Sequence, residues 1–255
     1  MTKEDRQNAI LDQLLTQESV LVSDLATSLD VSLVTIRKDL TELEKAGKLY
    51  RSHGKAILIN PFTNNRSVNE KEKLKAEEKQ LIGAEAVKLL VKDESIILAS
   101  GTTIHALACN IHSESRLTIV SASLQATMTL AANDNIDIIQ LGGMVRHSSV
   151  SVVGQYSMEI LRGCSFTKLF LGVDGIDLDF GISTTDMREA ELNRSMMNAA
   201  QKTIVLADSS KFGRRGFAKI SGLEDVDIII TDAKIPQFVA NKIEEMGIEL
   251  IIAGS

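Results

Sequence analysis

The chain has 255 residues, enough for two domains, and its 44% hydrophobic and 24% charged residues are the proportions of a soluble globular protein. A formal net charge of −6 argues against general coating of nucleic acid and for a local basic surface on an acidic body. No apolar run approaches the roughly 20 residues of a membrane span, and the charged start MTKEDRQN lacks a signal peptide's apolar core, so a cytoplasmic location is expected.

Ala9, Ile10, Leu14 and Leu15 fall at near-helical spacing and predict a first helix. Val20, Leu21, Leu25, Ala26 and Leu29 predict a second. Asp30, Val31 and Ser32 predict a tight turn, with Ser32 as N-cap of a third helix, because its hydroxyl can accept a free first-turn N–H. In that helix Val34, Ile36, Leu40 and Leu43 lean towards the core, and Gly47 is the expected stop. Leu33, Thr35, Arg37 and Lys38 are left for the outward face. The segment KLYRSHGKAILI alternates as a β-hairpin turning near His53-Gly54.

Two short helices joined by a tight turn and followed by a β-wing form the geometry that lays the second helix into a DNA major groove. Charge follows the same division. Residues 1–32 hold Lys3 and Arg6 against Glu4, Asp5, Asp12, Glu18, Asp24 and Asp30, a net of −4. Residues 33–55 hold Arg37, Lys38, Lys45, Lys48, Arg51 and Lys55 against Asp39, Glu42 and Glu44, a net of +3. Positive charge thus begins where a recognition helix would begin, as phosphate contact requires. The candidate contacts to double-stranded DNA are Ser32, Leu33, Thr35, Arg37, Lys38, Arg51, His53 and Lys55. Ser32 can cap its helix and also meet a phosphate; His53 reads as a wing-tip residue.

Residues 60–69, NPFTNNRSVN, are polar, hold one of two prolines and read as a linker. They divide the chain into a winged helix-turn-helix domain at 1–59 and a second domain at 70–255. A charged helix from about Glu70 to Val91 is expected next. Short β-branched runs follow: SIIL (95–98), LTIVS (117–121), IDIIQL (136–141), KLFLGV (168–173), KTIVLA (202–207), VDIIIT (226–231) and IELIIA (248–253). Amphipathic segments lie between several of them, clearly at 104–111, 123–132, 186–200 and 236–246. Near-continuous apolar strands separated by helices indicate a mostly parallel α/β sheet covered on both faces. Such sheets bind ligands at the C-terminal ends of their strands.

Small-residue clusters follow those ends: ASGTT (99–103), SAS (121–123), LGGMVR (141–146) and GVDGID (172–177), with GISTTDMREAE (181–191) and ADSSKFGRRGF (207–217) downstream. Gly101 lets a ligand approach the backbone, and Ser100, Thr102 and Thr103 offer hydroxyls and N–H groups at a helix N-terminus, a seat for phosphate. The repetition points to a small phosphorylated ligand. Asp186 and Glu189 also fit a capping pattern. Lys211 reads equally as a surface charge or a phosphate partner, and Arg146 as a ligand or interface residue or a solvated loop charge. Met196 and Met197 read as ordinary helix residues. Cys109 and Cys164 have no metal-ligand spacing and read as inert, reduced core thiols; neither a metal nor a cofactor is expected.

Taken together, TIRKDLTELEKAGKLYRSHGKA, SGTT, LGG, FLGVDGID, ADSSKFG and IITD, in this order, resemble the DeoR family of bacterial sugar-responsive repressors, from about residue 4 to the C-terminus. The resemblance implies a winged helix-turn-helix joined to a sensor domain of ribose-5-phosphate isomerase-like fold. It also implies repression of a carbohydrate-utilisation operon under control of a phosphorylated sugar or glycolytic intermediate. Carried over residue by residue, the effector site would draw on Ser100, Gly101, Thr102, Thr103, Ser121, Gly142, Gly143, Asp174, Gly175, Thr184, Thr185, Glu189 and Lys211. The chain departs from the family pattern at Ala99, where Asp is frequent, at Ser121-Ala122, where Thr-Asn is usual, and near Glu94, where a turn glycine is absent. The alternative reading is a sugar-phosphate isomerase-like enzyme using Asp174, Glu189 and Lys211 for proton transfer, but an isomerase has no need of a DNA module. A purely architectural DNA-binding protein fits poorly with the acidic second domain. A single winged helix makes a small interface, so a homo-oligomer, dimer or tetramer, is expected.

Overall fold

The structure is a computed structural model that describes residues 2–17, 19–45, 48–52, 54–58, 68–112 and 116–254. The chain divides into two compact units, Met1–Asn64 and Asn65–Ser255.

The first unit runs α1 (Lys3–Gln17), β1 (Ser19–Leu21), α2 (Val22–Ser28), α3 (Leu33–Lys45), β2 (Leu49–Ser52) and β3 (Lys55–Leu58). Its core is Ile10, Leu14, Val20, Leu25, Ala26, Ile36, Leu40, Leu43, Leu49 and Ala56. Two sequence expectations change here. Val20 and Leu21 lie in a strand, not in the second helix. Val20 pairs with Ala56, and β1 adds to the hairpin to give the order β1-β3-β2. Val34 is 62% exposed rather than core-facing. Ile36, Asp39, Leu40 and Leu43 make the buried stripe of α3, which turns Val34, Arg37 and Lys38 outward. Asp30 takes the left-handed φ of +50° that closes the turn, a conformation Asp tolerates. Gly47, the expected helix stop, lies outside the described residues.

The second unit opens with α4 (Val68–Lys73) and α5 (Ala76–Val87), where one helix was expected; Lys75, at φ +57°, breaks it. α4 begins inside the segment read as a linker. There follow β4 (Ser95–Leu98), α6 (Thr102–Asn110), β5 (Leu117–Ser121), α7 (Leu124–Leu130), β6 (Ile136–Gln140), β7 (Met144–Arg146), β8 (Ser151–Val153) and α8 (Gln155–Arg162). The chain continues through β9 (Phe166–Gly172), β10 (Gly175–Asp177), β11 (Gly181–Thr184), α9 (Met187–Ala199), β12 (Ala200–Leu206), β13 (Ala218–Ser221), β14 (Ile228–Asp232), α10 (Gln237–Glu245) and β15 (Glu249–Ala253). Where the family pattern has a glycine near Glu94, Asp93 holds φ +58°.

Seven strands form one sheet in the order β15-β14-β12-β9-β4-β5-β6, and every neighbouring pair is parallel. Alternate residues of each strand face two separate apolar cores. Ile97, Val120, Leu169, Leu171, Val205 and Ile229 join one, with Ala190, Leu192 and Met196 of α9 and Ile243 of α10. Ile96, Leu98, Ile119, Phe170, Ile204 and Ile230 join the other, with Ile82 of α5, Leu107 of α6 and Ala126 of α7. The short strands β10, β11 and β13 form an antiparallel sheet on the first face, and β7 and β8 form a hairpin. From β4 the order runs outward to β5 and β6 on one side, and from β9 outward on the other. The switch point of the sheet is therefore the gap between the C-terminal ends of β4 and β9. Cys164, read as a core residue, is exposed, and Cys109 is half-buried.

Candidate functional site

Two sites emerge, one in each unit. In the first, Ser32 caps α3: its hydroxyl accepts from the Thr35 N–H at 3.1 Å and lies 2.9 Å from the Thr35 hydroxyl. The cap leaves Thr35 half-buried, while Ser32, Leu33, Val34, Arg37 and Lys38 are exposed. The local charge is more one-sided than the sequence count suggests, because each acid of this segment already has a basic partner. Asp39 accepts two bonds from the Arg6 guanidinium, that from Nη2 at 3.0 Å. Glu42 pairs with Lys3 at 2.6 Å. Glu44 accepts from the backbone and the guanidinium of Arg51, the latter at 2.7 Å. These pairs fix α1 and the wing against α3. Among the described residues, Arg37, Lys38, Lys48 and Lys55 are the basic residues of this segment without an acidic partner. Arg51 is a less available cation than the sequence reading took it to be. His53 lies outside the described residues.

In the second unit, Ser100-Gly101 follow the end of β4, and Gly101, at φ +110°, precedes α6 with open space where a side chain would stand. Thr102 and Thr103 open the helix beneath it. Asp174 follows β9, so these groups flank the switch point. Thr184 at the end of β11 and Glu189 in the first turn of α9 close the cluster. The Ser100 hydroxyl donates to Glu189 at 2.9 Å. The Thr184 hydroxyl lies 2.9 Å from Glu189 and 3.2 Å from Asp174, and Thr185 lies 3.4 Å from Asp174. One hydroxyl has one proton, so Thr184 satisfies one carboxylate at a time and the other keeps accepting capacity. Such acceptors suit the hydroxyls of a polyol.

Cations border the same carboxylates. Lys71 of α4 holds Asp174 at 2.7 Å, and Lys211 stands 4.0 Å from the same oxygen. Burial alone would raise the Asp174 carboxyl, but Lys71, Lys211 and the hydrogen bonds from Lys71 and Thr184 outweigh it and hold the group well below the usual carboxylate range. Burial pushes the Lys211 ammonium down, against the pull of Asp174. Behind them Lys79, buried and lowered by desolvation to about 8, donates to the carbonyls of Lys71 and Leu74. Arg146 reaches in from β7, 3.2 Å from Glu189 and 3.4 Å from Asp186, which caps α9.

The structure thus brings together Ser100, Gly101, Thr102, Thr103, Asp174, Thr184, Thr185, Glu189 and Lys211. The four other sequence candidates serve the backbone instead. Ser121 is fully buried, with its hydroxyl donating to the Leu98 carbonyl and accepting from the Ser123 N–H. A Cβ on Gly143 or Gly175 would lie 2.5 Å from the carbonyl oxygen of Val153 or Arg214, so both are glycines for packing. Gly142 gives its carbonyl to the Ser157 hydroxyl. The sequence reading missed Lys71 and Lys79, which look like ordinary charges of a solvated helix, and left Arg146 undecided. A groove of about 360 Å³ lined by Arg194, Gln201, Asp225 and Asp227 among others involves none of the candidate residues. Among the described residues no group of three or more His, Cys, Asp or Glu is placed to hold a metal, and no helix is long and apolar enough to cross a membrane.

Comparison with known proteins covers both units. Residues 6–62 match the model of a DeoR-like helix-turn-helix domain, and residues 74–233 that of the DeoR C-terminal sensor domain. The transcriptional regulator GolR of Listeria innocua is 32% identical over 249 residues, 98% of this chain and 98% of its own. The transcriptional repressor GlcR of Bacillus subtilis is 30% identical over 252 residues, 99% and 97%. The regulator GlpR of Haloferax volcanii is 29% identical over 251 residues, 98% of each chain. Among solved structures, a ribose 5-phosphate isomerase from Methanocaldococcus jannaschii covers 54% of this chain and 55% of its own at 19% identity, with a TM-score of 0.41. That likeness is partial and carries no functional weight.

Proposed function

The chain belongs to the DeoR family of transcriptional regulators, and from that premise we propose that it represses a carbohydrate-utilisation operon under control of a phosphorylated sugar bound at the switch point of its sensor sheet. Its full-length relatives are regulators, and regulation rather than catalysis is the function of this chain. The observation that carries the effector assignment is the mixed lining of the β4–β9 gap. Asp174 and Glu189 accept from hydroxyls, while Lys71 and Lys211 flank Asp174. Carboxylates that take hydroxyl protons suit a sugar, and ammonium groups beside a helix N-terminus suit its phosphate. The operator is read by the outward stripe of α3. Arg37 and Lys38 meet bases or phosphates, Leu33 and Val34 suit thymine methyl groups, and Lys55 of the wing meets the DNA backbone.

A thermal-shift screen of the full chain against phosphorylated and unphosphorylated sugars tests the effector assignment, since a ligand selective for the folded state raises the melting temperature. A phosphorylated sugar should raise it and its unphosphorylated parent should not. Lys211→Gln should lose most of the rise. Equal rises for both forms, or a full rise in Lys211→Gln, would place the phosphate elsewhere.

A further inference from the structure

The described side chains of α4 meet the sensor unit through polar contacts. Lys71 reaches Asp174 at 2.7 Å, and Glu72 reaches Nδ1 of His105 on α6 at 3.0 Å. Lys79 donates to the carbonyls of Lys71 and Leu74 at the end of the helix. Lys71, Glu72 and Lys73, the residues of α4 whose side chains are described, are polar, and Leu74 beyond them is 46% exposed. Polar contacts at a partly exposed surface open more readily than a packed core. The first of these contacts lies in the proposed effector site, where Lys71 and Lys211 bring two ammonium groups to one oxygen of Asp174.

We propose that α4 is a latch closed by the effector's anionic group: Lys71 carries the helix into the crevice, so anion binding and docking of α4 stabilise each other. The inference rests on the effector assignment made above. An anion beside Lys71 and Lys211 adds attraction on α4 that Asp174 alone does not supply. By linkage, a docked α4 raises anion affinity by the factor with which the anion favours docking. The chain enters the second unit through α4, so this docking step is one that effector binding controls and the chain transmits.

Hydrogen exchange on the full chain tests it, with potassium phosphate as the probe against potassium chloride of equal ionic strength. Residues 100–106 report anion binding, and residues 68–75 report docking. In saturating phosphate both segments should exchange more slowly, the second by roughly fivefold or more, and Lys71→Gln should abolish the effect at 68–75. Glu72→Ala removes the partner of His105 Nδ1 and should lower phosphate affinity several-fold. Simple electrostatics gives the opposite sign, because that substitution deletes a negative charge. Protection of 100–106 without protection of 68–75, or phosphate affinity unchanged or raised in Glu72→Ala, overturns the latch and leaves the crevice standing. Protection of neither segment overturns the anion site, and the latch with it.

Discussion

Lys79 is 6% exposed, and its ammonium spends its protons on two carbonyls at the end of α4. Burial lowers it from 10.5 to about 8. Between those values the unfolded chain binds the proton and the folded chain releases it, so stability rises with pH across the window. Lys211, lowered by burial as well, acts in the same direction. Lys79→Gln should therefore flatten the rise in unfolding free energy between about pH 8 and 10.5, by up to about 3 kcal/mol. Urea titrations at both ends of the window measure it, and an unchanged rise in the variant would show that Lys79 is not desolvated in solution. Ser121 gives the complementary lesson at this scale. A serine after a strand reads the same whether its hydroxyl meets a ligand or, as here, the Leu98 carbonyl.

On α3 the buried stripe of Ile36, Asp39, Leu40 and Leu43 decides what faces outward, and Asp39 belongs to that stripe because Arg6 neutralises it. Arg37 has no such partner among the described residues. Arg37→Ala should weaken operator binding by ~1–3 kcal/mol and relax base preference, without changing the melting of the sensor unit. Arg51→Ala should cost less, because Arg51 is already bonded to Glu44. A gel-shift titration in which Arg37→Ala binds like the parent would remove α3 from the groove. The seven parallel strands were legible because strands buried on both faces read as unbroken apolar runs, as in SIIL and LTIVS. β1, β7, β8 and β10 are three residues each, too short to show a period. The break at Lys75 carries no Gly or Pro to announce it. The hydroxyls and carboxylates of the crevice could be picked out because they follow strand ends. Lys71 could not, because it arrives from another helix and its role depends on the tertiary fold alone.

At the scale of the whole molecule, a net charge of −6 opposes approach to DNA, so the cations without an acidic partner among the described residues of the first unit, Arg37, Lys38, Lys48 and Lys55, must supply attraction locally. One winged helix-turn-helix buries too little surface to select a site in a genome, which calls for at least two reading heads. Light scattering of the full chain at micromolar concentration should accordingly give a dimer or a tetramer. The salt dependence of operator binding offers a count of heads that does not depend on mass. Each phosphate contact contributes about 0.9 to the slope of log affinity against log salt. A substitution is present in every chain, so Lys55→Ala should flatten that slope by about 1 for each engaged head, hence by about 2 for a two-headed complex. The loss should be equal on operator and non-operator DNA, because a phosphate contact carries no base preference. A slope change near 1 in a protein that scatters as a dimer would mean that one head reads the DNA while the other stays free. No change at all would take the wing off the phosphate backbone.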